Sequence, residues 1–170
     1  MKWLLSVILV AIAVAAIWWQ INTTKIAYVN GLDAYAAMPN KEYVLEKDCY
    51  VFALRKHIAT AHPLLGLNAP GVPTSCPDLP VEVTRANIGK LLPNVRLMDV
   101  IPQGTHFRIL SVRSEQSRRN GLFISYEITF LDDIERPYPR IDLRPIQLPV
   151  ARPGDVPQID PAVAVPWIKR

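Results

Sequence analysis

Residues 95–131, VRLMDVIPQGTHFRILSVRSEQSRRNGLFISYEITFL, decide the fold class. Two strand-like stretches flank the turn Pro102-Gln103-Gly104-Thr105, and Phe107, Ile109 and either Leu110 or Val112 supply the apolar positions of the second. Ser114 to Gly121 reads as a polar hairpin loop, in which Asn120-Gly121 tolerates positive φ. The returning strand alternates with period two, so Tyr126, Ile128 and Phe130 belong to a buried face and Ser125, Glu127 and Thr129 to the opposite one. These residues predict two antiparallel strands joined by a solvated loop.

Working towards the N-terminus, Glu42 to Lys56 is rich in β-formers but loses its alternation near Glu46 to Asp48. Two short strands, or one strand with a bulge there, are expected. Cys49, Val51 and Ala53 would share one face and Tyr50, Phe52 and Leu54 the other. Both faces are apolar, which predicts an interior strand. His57 to Pro80 holds five prolines and two glycines and reads as one long loop, in which His57 and His62 are ordinary loop histidines. Val81 to Val83 is a candidate short strand, and Thr84 to Leu92 is open between an extended run and one helical turn. Asn30-Gly31 reads as a turn and Leu32 to Met38 as two helical turns stopped by Pro39, placing Tyr28, Leu32 and Tyr35 on one face.

Towards the C-terminus the composition changes, with eight of the sixteen prolines beyond Asp132. Ile141, Leu143 and Ile146 to Val150 are candidates for an edge strand, where proline is tolerated. From Ala151 onwards the prolines favour polyproline II geometry. Two readings of this tail are open. It binds a partner through Pro153, Pro157, Pro161 and Trp167, or it wraps its own domain with Trp167 as the final anchor.

The first residues carry a different signal. Trp3 to Ile21, WLLSVILVAIAVAAIWWQI, contains an uncharged run that would reach roughly 25 Å as a helix, against a hydrocarbon core of about 30 Å. Trp3, Trp18 and Trp19 are candidate membrane-interface residues. The reading is a single transmembrane anchor, with a cleaved signal peptide as the rival, since Lys2 precedes the run and Ala11, Ala13, Ala15 and Ala16 offer cleavage sites. The positive N-terminal end places the main domain outside the cytoplasm, on a bacterial inner membrane facing the periplasm. In that oxidising compartment Cys49 and Cys76, the two cysteines present, are expected to form a disulfide. It would close a loop of about thirty residues and contribute roughly 3 to 4 kcal/mol. Two buried free thiols are the alternative. The histidine spacing fits no metal cluster.

The string Val100-Ile101-Pro102-Gln103-Gly104-Thr105-His106-Phe107-Arg108-Ile109-Leu110-Ser111-Val112 resembles a passage of bacterial SH3-like domains, in which a Gly-Thr turn starts a strand that pairs with the next through a variable loop. The resemblance covers about 35 residues, around Val100–Phe130. It implies a small or partly open β-barrel. The final short strand of that family, with its Gly-aromatic ending, is absent after Leu131, so no binding residues are carried over.

The organisation expected is therefore an anchor and collar over residues 1–24, a mainly β domain over 25–150 and a proline-rich tail over 151–170. Lys and Arg against Asp and Glu number eight and six before Val95 and eleven and nine after it. The charge is spread rather than patched, which argues against a nucleic-acid partner. There is no nucleophile elbow, phosphate loop or HExxH motif, so neither an enzyme nor a cofactor is expected. The leading expectation is a membrane-anchored protein-binding module, an accessory subunit or assembly factor of an envelope complex, with the bilayer and another envelope protein as partners. An envelope-anchored immunity or inhibitor protein against a secreted toxin, and a hydrolase or ligand-binding enzyme, are the alternatives.

Overall fold

The hairpin read from residues 95–131 is the centre of the sheet. In the structure, a computed structural model describing residues 2–22, 25–54, 65–70, 79–117, 121–132, 141–143 and 159–168, β6 (His106–Ser117) and β7 (Gly121–Phe130) pair from Phe107–Phe130 out to Ser117–Gly121. The register shifts between Ile109 and Ser111. One residue, Leu110, is extra, and the pleat changes phase across it. This resolves the choice between Leu110 and Val112: Phe107, Ile109 and Val112 face the core fully buried, while Leu110 is half-buried. Opposite them Ile124, Tyr126 and Ile128 line the same core.

The remaining strands are β1 (Lys25–Tyr28), β2 (Glu42–Leu45), β3 (Cys49–Leu54), β4 (Leu65–Asn68), β5 (Val95–Ile101), β8 (Ile141–Leu143) and β9 (Ala164–Pro166). They order as β5-β3-β4-β8-β7-β6-β2-β9, with β1 beside the far end of β6. The ladder runs from β5 to β9, and among the described residues no pairing joins these two ends. The break at Glu46 to Asp48 separates β2 from β3. As the apolar residues on both of its faces require, β3 lies between β4 and β5 with Cys49 to Ala53 buried.

Two cores follow. Cys49, Val51 and Ala53 join Leu45, Leu67, Phe107, Ile109, Val112, Tyr126 and Ile128 in the larger one. Tyr50 and Phe52 join Val95, Leu97 and Val100 in a smaller one on the other face. Thr84 caps a single 3-10 turn at Arg85–Asn87, and Val81 to Val83 forms no strand, with bends at Val81 and Glu82.

Several expectations are corrected. The mainly β class stands, but the transmembrane helix does not: α1 (Lys2–Asn22) forms, yet no helix among the described residues is long and apolar enough to cross a membrane. The apolar stretch Trp3–Trp19, which ends before the polar Gln20 and Asn22, reaches only about 25 Å against about 30 Å of hydrocarbon. The expected Cys49–Cys76 disulfide is also corrected. Cys49 is a free, fully buried thiol, because its place on β3 points it into the larger core; Cys76 lies outside the described residues.

Leu32 to Met38 folds as turns, not a helix. The chain leaves the β6 edge at Val29, whose N–H donates to Val112 O, and returns at Lys41, whose carbonyl accepts from Ile109 N–H. A segment fixed at two points so close along one strand must turn back. Tyr35 is buried while Tyr28 and Leu32 stay exposed, so the three do not share a face. Within the expected long loop, Leu65–Asn68 is the interior strand β4, and β8 is likewise interior, antiparallel to β7 and parallel to β4, instead of an edge.

Candidate functional site

Three places gather chemistry: the helix α1, the seam where β9 joins β2, and the outer face of the β6–β7 hairpin. On α1 every residue from Leu5 to Trp19 is exposed. Trp3 is 88% exposed, Val10 63% and Trp19 71%. A helix apolar on all sides is ordinarily covered by protein core or lipid, and α1 is a continuous apolar surface from Leu5 to Trp19. Trp3, Trp18 and Trp19 stand at its two ends, as the sequence spacing implies.

At the C-terminal seam, β9 lies antiparallel to β2 in the register Tyr43–Pro166, Val44–Val165 and Leu45–Ala164. Glu46 N–H donates to Val163 O at 2.8 Å and Trp167 N–H to Glu42 O at 2.8 Å, extending the ladder by one bond at each end. Ile159, Val163 and Ala164 are buried in the larger core. The Trp167 ring stands 4.2 Å from that of His106, tilted by 47°. Beside it Arg108 reaches Glu42 Oε1 through Nη2 at 2.6 Å and Nε at 3.1 Å. Over residues 159–168 the wrapping reading of the tail therefore holds. Pro161 is exposed in the turn that precedes β9, Trp167 is 43% exposed, and Pro153 and Pro157 lie outside the described residues.

The hairpin face opposite Tyr126 and Ile128 carries polar residues, yet Ser111, Arg113, Ser125 and Glu127 are buried there. Ser111 donates to Glu127 Oε2 at 2.6 Å, and Tyr28 OH lies 3.4 Å from Glu127 Oε1. Arg113 bonds Glu115 Oε1 at 2.5 Å and lies 3.6 Å from Glu127 Oε1. Arg113 and Glu127 are each 6% exposed. A buried ion pair of this kind costs desolvation that its mutual attraction only partly offsets, so it supports geometry more than stability. The Ser125 hydroxyl, also buried, meets no hydrogen-bond partner among the described residues. The sequence signal that could have found this cluster is the register of the hairpin, which sets Arg113 opposite Ser125 and Ser111 opposite Glu127.

Cys49 is not a reactive centre. Burial, reinforced by the Asp48 carboxylate and opposed by Lys47, pushes its thiol up to about 12, and its Sγ lies 3.4 Å from Lys47 O. Nearby, an open depression of about 320 Å³ is lined by Glu46, Lys47, Asp48, Pro70, Val81, Val83 and Gln103. Its Asp48 carboxylate is occupied by Gln103 N–H at 2.7 Å. Among the described residues no group of three or more His, Cys, Asp or Glu could hold a metal ion. His57 and His62 lie outside them, and His106 packs its ring against Trp167 while its backbone N–H donates to Asp132 Oδ2. Compared with known proteins, this chain matches no protein family, no curated protein and no solved structure.

Proposed function

We propose that this chain is a protein-binding module held at a lipid surface by α1, an accessory subunit or assembly factor of an envelope complex. The observation that carries the reading is the exposure of α1 along its whole apolar length, from Leu5 to Trp19. Apolar surface left in water costs about 25 cal/mol per Å², and a helix with no polar face cannot recover that by rotating against its own domain. The indoles of Trp3, Trp18 and Trp19 suit headgroup depth, where the ring is buried and its N–H hydrated. In this reading α1 is embedded in lipid without crossing it, so that none of its sides is left in water, and the sheet beyond Lys25 is presented to a neighbouring protein.

The test is crosslinking of the full chain in native membranes at native expression, followed by mass spectrometry, beside the variant Val10→Lys/Val14→Lys. The wild-type chain is expected to sediment with membranes and to yield one discrete crosslinked partner. The variant is expected to lose about tenfold in membrane partition, since a charge placed in an apolar helix opposes burial. Equal membrane recovery of both chains would end the lipid reading, and recovery of the uncrosslinked chain alone would end the partner reading.

A further inference from the structure

The edges of the sheet differ in what they leave unpaired. At the β9 end, the bonds from Glu46 N–H to Val163 O and from Trp167 N–H to Glu42 O turn residues 163, 165 and 167 towards β2 and leave Ala164 and Pro166 facing outward. Pro166 has no N–H to offer, and that of Ala164 is already donated to Asp160 O. At the β5 end, the chain from Gly89 to Leu92 lies along the strand, with Gly89 N–H on Leu97 O, Leu97 N–H on Lys90 O and Leu92 N–H on Val95 O. β1 is different. Among the described residues it pairs with β6 alone, and all four of its residues are exposed. Val29 N–H donates to Val112 O, so in the register Ala27–Ser114 and Lys25–Gln116 these alternate residues face β6. The N–H and C=O of Ile26 and Tyr28 therefore point away from the sheet, beside side chains that are 54% and 60% exposed. No proline, glycine or bulge interrupts this edge.

We infer that the outer edge of β1 is a pairing site for β1 of a second copy of this chain, antiparallel and centred on Ala27. The choice of occupant follows from the strand itself. Set antiparallel about Ala27, Ile26 of each copy meets Tyr28 of the other, and each such pair exchanges its outward N–H and C=O, so the edge satisfies itself. The side chains brought together are a β-branched and an aromatic residue, a favourable cross-strand pair. The one charge of the strand, Lys25, then stands opposite Val29 of the second copy. The two lysines lie about 13 Å apart along the ladder, beyond the screening length of about 8 Å at physiological salt. A parallel pairing in register would set them side by side. The strand is thus self-complementary, as a two-fold interface requires. A ladder of four residues is short, but α1 ends at Asn22 and β1 starts at Lys25, so copies held in one lipid surface meet at a far higher effective concentration than in solution. Only this gain rests on the lipid reading of α1.

The experiment uses full-length chains carrying Ala27→Cys or Lys25→Cys, each incorporated into phosphatidylethanolamine/phosphatidylglycerol vesicles and, separately, concentrated in mild detergent, then gently oxidised. At Ala27 the pairing brings the two Cα atoms to about 4.5 Å, within disulfide reach, whereas the two positions 25 stand too far apart. Peptide mapping, with the wild-type chain and its own Cys49 and Cys76 as background, should find the 27–27 link at least about tenfold above the 25–25 link. Adding Ile26→Pro to the Ala27→Cys chain should abolish the link, because it removes an outward N–H that β6 does not use, while the Val29 amide stays as protected from exchange as before. Equal linking at 25 and 27, no 27–27 link in a chain that floats with vesicles, or a link that survives Ile26→Pro would each overturn the inference. For a chain that does not float, the detergent arm decides: a 27–27 link there keeps the pairing and ends the lipid reading, and its absence ends both.

Discussion

Tyr50 shows how much one hydroxyl can organise. Its ring is fully buried in the smaller core, while its OH donates to Glu82 O at 2.6 Å and accepts from Thr84 N–H at 3.0 Å and Asn87 Nδ2 at 2.7 Å. Asn87 in turn accepts from Lys90 Nζ at 2.5 Å. Residues 82–90, with only one 3-10 turn of their own, are thereby pinned to the interior strand β3. Tyr50→Phe keeps the ring and deprives the two donors of their shared acceptor inside protein. Such a loss costs about 1 to 3 kcal/mol, to be read as a lower urea midpoint with faster amide exchange at Thr84. An unchanged midpoint would mean that water replaces the hydroxyl without cost. In the sequence Tyr50 was legible as a β-former and as a member of an apolar face. Its hydrogen-bond partners were not, since they lie more than thirty positions away and are set by the path of an irregular segment.

At the scale of elements, the pairing of β3 with β4 turns on a glycine. Gly66 lies directly opposite Phe52, and a Cβ built on Gly66 would collide with the Phe52 ring, itself 4% exposed. The aromatic ring covers the bare backbone, a device that shields a glycine within a sheet. Gly66→Ala should destabilise by about 1 to 3 kcal/mol as the ring is forced off its packing. Combined with Phe52→Leu it should cost less than the sum of the two single changes, because the second removes what the first collides with. Strict additivity in denaturant melts would refute the contact. The sequence around Gly66 is punctuated by Pro63 and Pro70, which is why it reads as loop; the strand forms because β3 and β8 offer it ladders on both sides.

For the whole molecule, the buried acids set the response to alkali. Cys49 is raised from its ordinary 9.0 to about 12, chiefly by burial. Tyr126 is raised above its ordinary 10.0 by burial and then by the neighbouring Tyr43 and Tyr35. Each group stays neutral in the folded state over a range where the unfolded chain would ionise, so the unfolded state binds fewer protons there and stability falls as pH rises. The contribution of Cys49 is complete below about pH 9 and lost as pH climbs through about 12; that of Tyr126 begins to fall near pH 10. Denaturant midpoints should be flat to pH 9 and then decline, by on the order of 1 kcal/mol per pH unit for each group within its window. Cys49 should resist alkylation in the native chain at pH 8. Rapid modification there would contradict its burial.

Local pattern alone determined the mainly β class, the central hairpin, the interior character of β3 and the break between β2 and β3, because each rests on alternation or turn chemistry within about ten residues. It also marked Trp3 to Ile21 as a continuous apolar run. Only the tertiary structure decided the rest. The extra residue at Leu110 moved the core position to Val112, and closure of 29–41 against β6 replaced a helix with turns. The direction of Cys49 into the core left it a free thiol. The docking of 159–168 made a wrapped strand of what the composition left open. These outcomes depend on ladders and contacts between residues far apart in sequence, whose free energy no local period contains.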